Sequence, residues 1–202
     1  MTTIKRLALV TCSTRSRRLN PYMTSYVKET MTQHSVGIVL EIIDLAFQDL
    51  PIFDETVTPA QLPEEDPTPG YSREHSRAWS ALVRQFDAFV FVTPQYNWSV
   101  PASLKNALDY LYHEWKAKPA AIVSYGGRGG GKAAAHLRDI LTGLRMRTLP
   151  TAPGLTTAST MMASCERVGF VDEADRARWR EEGVEEKIGL MTRELMEALA
   201  GS

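Results

Sequence analysis

The segment AFVFVTPQYNWSVPASLKNALDYL, residues 88–111, constrains the fold more than any other part of the chain. AFVFV is an apolar run without alternation, the pattern of a strand buried on both faces. Leu104, Ala107, Leu108, Leu111, Tyr112 and Trp115 then share one face of a predicted helix. The same succession of strand and helix recurs along the chain. Strands are predicted over residues 4–11, 36–45, 87–93, 119–125 and 147–152. Asn20-Pro21 predicts a helix with an N-cap and a proline at its first position, with Met23, Tyr26, Val27, Thr30 and Met31 inward. Ser72 predicts a cap for a helix presenting Trp79, Leu82, Val83 and Phe86. A helix over 132–145 turns Leu137, Ile140, Leu141 and Leu144 inward. From Asp172 the chain reads as helical, with Gly183 as a candidate interruption and Val184, Ile188, Met191 and Leu195 facing the core.

Five such alternations without repeat or linker predict one α/β domain over residues 1–202. Its expected architecture is a doubly wound, five-stranded parallel sheet of order 2-1-3-4-5 with helices on both faces. Ligands in such sheets bind beyond the carboxyl ends of the strands, at the switch point between strands one and three. The loops at that point are 12–20 and 94–100.

Composition removes several classes of function. A formal net charge of -1 argues against a nucleic-acid partner. No apolar run reaches membrane-span length. The start, MTTIKRLALVTC, holds too short an apolar stretch for a signal peptide. Cys12 and Cys165 form neither a disulfide framework nor a zinc spacing, so no metal site is expected. These features predict a cytoplasmic protein. Residues 47–71, with prolines at 51, 59, 63, 67 and 69, form an irregular stretch of the length used for lids, binding loops and interfaces. His75 reads as a packed structural residue.

Two loops admit three phosphate-site readings. CSTRSRRLN, residues 12–20, places two hydroxyls and Arg15, Arg17 and Arg18 ahead of a helix, the parts of a phosphate site. The alternative is a solvated basic turn. The same letters spell Cys-x5-Arg from Cys12 to Arg18, which resembles the phosphate loop of low-molecular-weight tyrosine phosphatases. There Cys12 would be the nucleophile and Arg18 would hold the phosphate oxygens. Leu19 stands where that family has a hydroxyl, and Asp66-Pro67 comes too early to be its general acid. GGRGGGKA, residues 126–133, follows the spacing of a nucleotide-binding loop, but Ala133 lacks the hydroxyl that magnesium requires. Its glycines instead allow the backbone to approach a flat ligand.

Taken together, CSTRSRR, TPQYNWSVPASLKNALDYL and SYGG resemble the NADPH-dependent FMN reductase family of flavodoxin-like proteins. Ser13, Thr14, Arg15 and Arg18 match its first loop, with Cys12 and Arg17 in place of glycines. Pro94-Gln95-Tyr96-Asn97 matches a Pro-Glu-Tyr-Asn motif, with Gln95 for the acid. Ser99, Pro101, residues 104–107 and Asp109 match the helix that follows. The resemblance covers roughly residues 4–145. It implies FMN as cofactor and NADPH or NADH as co-substrate. The FMN phosphate would sit on Ser13, Arg15, Arg18 and the helix start at Asn20. The ring would lie against Pro94, Gln95, Tyr96 and Asn97, flanked by Ser124, Tyr125, Gly126 and Gly127. It further implies a quinone, azo compound, metal oxyanion or flavin as acceptor, no catalytic side chain, and a homodimer or dimer of dimers. Trp98 and residues 153–163 are then contact residues or core. An FMN-binding electron carrier is a third reading, but its flavodoxin relatives are acidic and hydroxyl-rich in the phosphate loop.

Overall fold

Strands β1 (Lys5–Thr11), β2 (Ile38–Asp44), β3 (Ala88–Pro94) and β4 (Pro119–Gly126) form in the computed structural model where the apolar runs fall. The structure describes residues 4–35 and 37–201. The strands pair in parallel in the order β2-β1-β3-β4-β5, with β5 at Arg147–Thr148. This is the flavodoxin-like order. Every residue of β3 is buried, yet its side chains still alternate between two layers. Phe89 and Phe91 join Ala8, Val10 and Cys12 beneath α2 (Glu74–Val83), α3 (Ala102–Asp109) and α4 (Gly131–Gly143). Val90 and Val92 join Leu7 and Leu9 beneath α1 (Asn20–Thr32), α5 (Met161–Val168), α6 (Glu173–Glu181) and α7 (Val184–Ala200). Among the described residues no helix is long and apolar enough to cross a membrane.

Several boundaries differ from expectation, each for a local reason. The predicted start of β2 at Val36 lies outside the described residues. β2 ends at Asp44, whose carboxylate accepts from the Ala46 amide and opens a 3-10 turn. α3 stops at Asp109, although Leu111 and Trp115 remain buried beyond it. The buried Glu114 draws the chain out of the helix by accepting from the Tyr112 amide at 3.2 Å, Tyr71 Oη at 3.0 Å and Ser80 Oγ at 2.6 Å. The predicted strand at 147–152 shortens to Arg147–Thr148, with Pro150 interrupting it, and a second short strand, β6 (Gly154–Thr156), resumes the pairing with β4 in the segment read as a loop. Helix α5 occupies part of the segment read as a loop. Gly183, at φ 68°, does separate α6 from α7.

The proline-rich stretch folds back on α2 and α3. Asn106 clamps it by accepting from the Phe53 amide at 2.9 Å and donating to Pro51 O at 2.6 Å. Asp54 accepts from Tyr110 Oη at 3.0 Å and pairs with His75 at 2.8 Å, so His75 is a structural tie. The predicted Ser72 cap is replaced. Ser72 Oγ and the Ser72 and Arg73 amides all donate to Glu55, at 2.6, 3.0 and 2.9 Å. A carboxylate from the distant loop thus satisfies the free amides at the start of α2.

Burial alone would raise the Glu55 pKa, but these hydrogen bonds outweigh it and bring the carboxyl down to about 2 from 4.5. Its stabilising contribution is therefore complete above about pH 4.5 and is lost as pH falls towards 2. Glu55→Gln is expected to cost about 1 kcal/mol at pH 7, the scale of a lost helix cap. It should also flatten the acid limb of the thermal-midpoint curve. Calorimetric melts of parent and variant across that range check both effects.

Candidate functional site

The loop after β1 and the end of β3 meet at the carboxyl end of the sheet because one side chain joins them. Asn20 is fully buried. Its Oδ1 accepts from the Ser13 amide at 2.7 Å and its Nδ2 donates to Val92 O at 2.9 Å. It does not cap α1, since Leu19 holds the N-cap position without a side-chain bond. The turn that was expected to place Asn20 at the cap instead places it inside the protein, where its amide answers the otherwise unpaired Ser13 amide and gives Val92 O a second donor beside the Cys12 amide.

The arginines of the first loop have different surroundings. Arg18 makes a bidentate pair with Asp44 at 2.8 and 2.7 Å and also donates to Ser13 O. It braces the loop against the end of β2, with most of its charge answered there. Arg17 pairs with Glu166 on α5 at 2.6 and 2.7 Å. Arg15 has no carboxylate partner among the described residues, and its guanidinium lies 5.6 Å from the Tyr96 ring centroid. Beside it, Ser13 Oγ and Tyr96 Oη share a 2.7 Å hydrogen bond.

Tyr96 belongs to a two-residue turn. Tyr96 and Ser99 exchange both backbone hydrogen bonds at 2.9 Å, and Asn97 and Trp98 have φ of 47° and 66°. That is type I′ geometry, to which asparagine is suited and tryptophan is not. Trp98 is nonetheless 71% exposed. Gln95 links the turn outward: its amide donates to Tyr125 O at 3.0 Å, and its Oε1 accepts from the Lys132 amide at 3.0 Å. Ser124 Oγ donates to Gly129 O at 2.8 Å and folds the glycine loop back on β4. Burial pushes the Tyr125 phenol up, so it stays protonated.

Arg15, Arg18, Pro94, Gln95, Tyr96, Tyr125 and Gly126 line one cleft of about 370 Å³. Ser13, Asn20 and Ser124 are buried outside that lining: Ser13 bonds the wall residue Tyr96, Asn20 bonds Ser13 and Val92, and Ser124 bonds Gly129. Asn97 is an exposed turn residue, and Gly127 lines a neighbouring cleft. Arg17 and Leu19 of the first loop complete the wall together with Thr157 and Met162, which were not singled out individually. The sequence did carry a hint of the last two, in the PGLTTASTMMA segment. The arrangement suits a flat molecule with an anionic tail. A Cβ at Gly126 would stand 3.7 Å from Gln95 Cβ, across the gap between the two walls, while Arg15 offers a cation at the cleft.

The phosphatase alternative fails on this geometry. Cys12 is fully buried, and its Sγ donates to Val10 O at 3.3 Å. Burial first, and then Asp44, pushes its thiol well above the ordinary range, against a lowering by the Val92 backbone bond. Side-chain alternation along β1 turns the sulfur into the layer beneath α2–α4, away from the cleft. The nucleophile must be a thiolate, and Arg18 is held by Asp44.

Residues 5–160 match the family model described as NADPH-dependent FMN reductase. An NAD(P)H-dependent FMN reductase of Saccharomyces cerevisiae is 40% identical over 151 residues, which is 71% of this chain and 77% of that protein. An NADPH:quinone oxidoreductase of Arabidopsis thaliana is 34% identical over 147 residues, covering 69% of each. Among solved structures, the flavoenzyme NAD(P)H:acceptor oxidoreductase FerB of Paracoccus denitrificans superimposes with a TM-score of 0.68 at 22% identity. The match covers 96% of this chain and 98% of that one.

The glycine loop separates structural need from room for a ligand. A Cβ at Gly130, at φ 75°, would lie 2.8 Å from both Tyr125 N and Tyr125 O, whereas one at Gly127 meets nothing within 4 Å. Gly130→Ala is therefore expected to cost more than about 1 kcal/mol. Gly127→Ala should stay within about 0.5 kcal/mol of the parent. Urea unfolding midpoints of the two variants give the comparison.

Proposed function

The chain belongs to the NADPH-dependent FMN reductase family, and from that premise we propose that the cleft beside Arg15 and Tyr96 is its FMN site. FMN is the cofactor and NAD(P)H the electron donor of this family. The observation that carries the assignment is the solitary cation. Of the three arginines in the first loop, Arg15 alone faces the cleft without a carboxylate partner among the described residues. The Ser13–Tyr96 hydroxyl pair beside it supplies further hydrogen-bonding capacity for phosphate oxygens.

When bound, FMN supplies the two-electron chemistry between NAD(P)H and the acceptor. The chain's part is to bind and orient. Asn20 holds the first loop in shape from behind, and Arg18, which lines the cleft, braces the loop through Asp44. The walls formed by Pro94–Tyr96 and by Tyr125–Gly126 grip the ring from its edges, and the Gly126 position keeps the gap open. Gln95 contributes its amide to β4 and its side chain to α4, so it fixes the spacing of the two walls. A quinone is the favoured acceptor, supported by the quinone oxidoreductase relative. Azo compounds, metal oxyanions and free flavin share the need for an open ring face. The proline-rich stretch lies close enough to take part in acceptor choice: its Leu50 and Ile52 line a further cleft with Thr14 and Ser103. A homodimer or dimer of dimers in the cytoplasm completes the proposal. Two buried, unpaired cysteines accord with a reducing compartment.

FMN should bind the apo-protein with quenching of its fluorescence, and riboflavin, which lacks the phosphate, much more weakly. Arg15→Ala removes a charge-assisted contact worth about 1.5–3 kcal/mol. FMN affinity should therefore fall by roughly ten- to a hundredfold. The rate at saturating FMN should fall much less. Cys12→Ser should oxidise NADPH within a few-fold of the parent. Equal affinity for FMN and riboflavin would remove the phosphate assignment. Loss of activity in Cys12→Ser with intact FMN binding would reopen a chemical role for the sulfur.

A further inference from the structure

A second cleft of about 630 Å³ adjoins the first across Gln95 and is lined by Trp98, Arg128 and Lys132. The flavin assignment leaves it unused. Its chemistry is cationic and aromatic. Arg128 and Lys132 are exposed, and neither has a carboxylate partner among the described residues. Elsewhere on this near-neutral surface exposed cations are commonly answered: Arg17 by Glu166, Arg84 by Asp66, Lys105 by Asp109 and Arg180 by Glu173. Lys132 Nζ lies 5.1 Å from the Trp98 ring centroid, beside a ring that is largely open to solvent.

Trp98 is held in this place at a conformational cost. A non-glycine residue in the left-handed region costs about 1–3 kcal/mol, and such strain gathers at binding sites. Glycine would relieve it, since glycine is favoured at the second position of a type I′ turn. The turn is also fixed to α4, because Ser99 Oγ and His136 Nδ1 are 2.6 Å apart. The indole is therefore displayed on a braced turn next to two cations. The Lys132 amide is already taken by Gln95, so side chains carry the site rather than the helix end.

Resting on the flavin reading of the first cleft, we propose that the second cleft binds the adenosine end of the nicotinamide nucleotide. Trp98 stacks on the adenine, and Arg128 and Lys132 hold the 2′-phosphate that distinguishes NADPH from NADH. The common wall at Gln95 lets one extended dinucleotide reach from the second cleft to the ring in the first. A volume of about 630 Å³ falls within the range of small-molecule sites. Two cations without partners favour the ligand with the extra dianionic group.

Titration of the flavin-free protein with 2′,5′-ADP and with 5′-AMP tests the site apart from turnover. Trp79, Trp115 and Trp179 are buried, so acrylamide quenching reports mainly on Trp98. The 2′,5′-ADP should shield that emission and bind at least tenfold more tightly than 5′-AMP by calorimetry. In the Arg128→Ala/Lys132→Ala double variant, 2′,5′-ADP affinity and the NADPH-to-NADH ratio of kcat/KM should each fall at least tenfold. FMN affinity should remain that of the parent. Trp98→Gly should raise the thermal midpoint while weakening both adenine nucleotides. A parent that binds FMN yet treats 2′,5′-ADP and 5′-AMP alike overturns this site alone. So does a double variant that keeps the parental coenzyme ratio. A parent that neither binds FMN nor oxidises NADPH overturns the flavin reading and this site with it.

Discussion

The carboxyl end of the sheet is organised by the buried amide of Asn20. β1 and β3 part as they leave the sheet: Val92 O takes the last bond between them, from the Cys12 amide at 3.3 Å, and the Ser13 amide beyond it has no strand partner. Asn20 bonds both, accepting from the Ser13 amide and donating to the Val92 carbonyl. Removing it would strand the Ser13 amide in a region closed to water, at a cost on the order of 1–3 kcal/mol, and would take one of two donors from Val92 O. The rest of the site is built on this link. Arg18 fastens the same loop to Asp44, and Ser13 presents its hydroxyl to Tyr96 only because its amide is fixed. Side chains that look ready to bind a ligand are therefore partly committed to holding its container.

The sheet and its order were legible because burial writes itself into composition. AFVFV, LALV and AAIV admit little except strands covered on both faces, and the helices between them force a parallel arrangement. The loops that meet at the first cleft were legible through their resemblance to the reductase family, carried by Ser13, Arg15 and Pro94–Asn97. Charge pairing was not. Arg15, Arg17 and Arg18 are equivalent letters in one short run, and only the fold brings Glu166 and Asp44 to two of them. Glu55 as the cap of α2 and Glu114 as the reason α3 ends early have the same character. Each depends on a contact between residues far apart in sequence, for which a local pattern contains no sign. Cys12 illustrates the opposite hazard. Its spacing to Arg18 fits a catalytic loop, while the alternation of the strand before it turns the sulfur into the core.

Gln95 joins the two clefts mechanically as well as spatially. Its backbone belongs to the pairing between β3 and β4, and its side chain belongs to α4. A glutamate there would keep both bonds, since the contact with the Lys132 amide uses an oxygen acceptor. The glutamine removes a negative charge from a wall shared by two clefts lined with cations, without loosening the wall.

The interruption of the fifth strand leaves the two margins of the sheet unequal. Leu149 turns its amide inward to Ala120 O, so the next residue faces outward. That residue is Pro150, which has no N–H to offer. Thr151 is in turn held by Glu194 of α7 through its amide and hydroxyl. A foreign strand approaching this margin finds neither a continuous row of donors nor room to lie flat. The opposite margin, β2, is a full strand of seven residues with Val39 and Ile42 partly open. Protection against edge-to-edge aggregation is thus built into one side of the molecule, and on the other it rests on charged neighbours such as the Arg6–Glu41 pair.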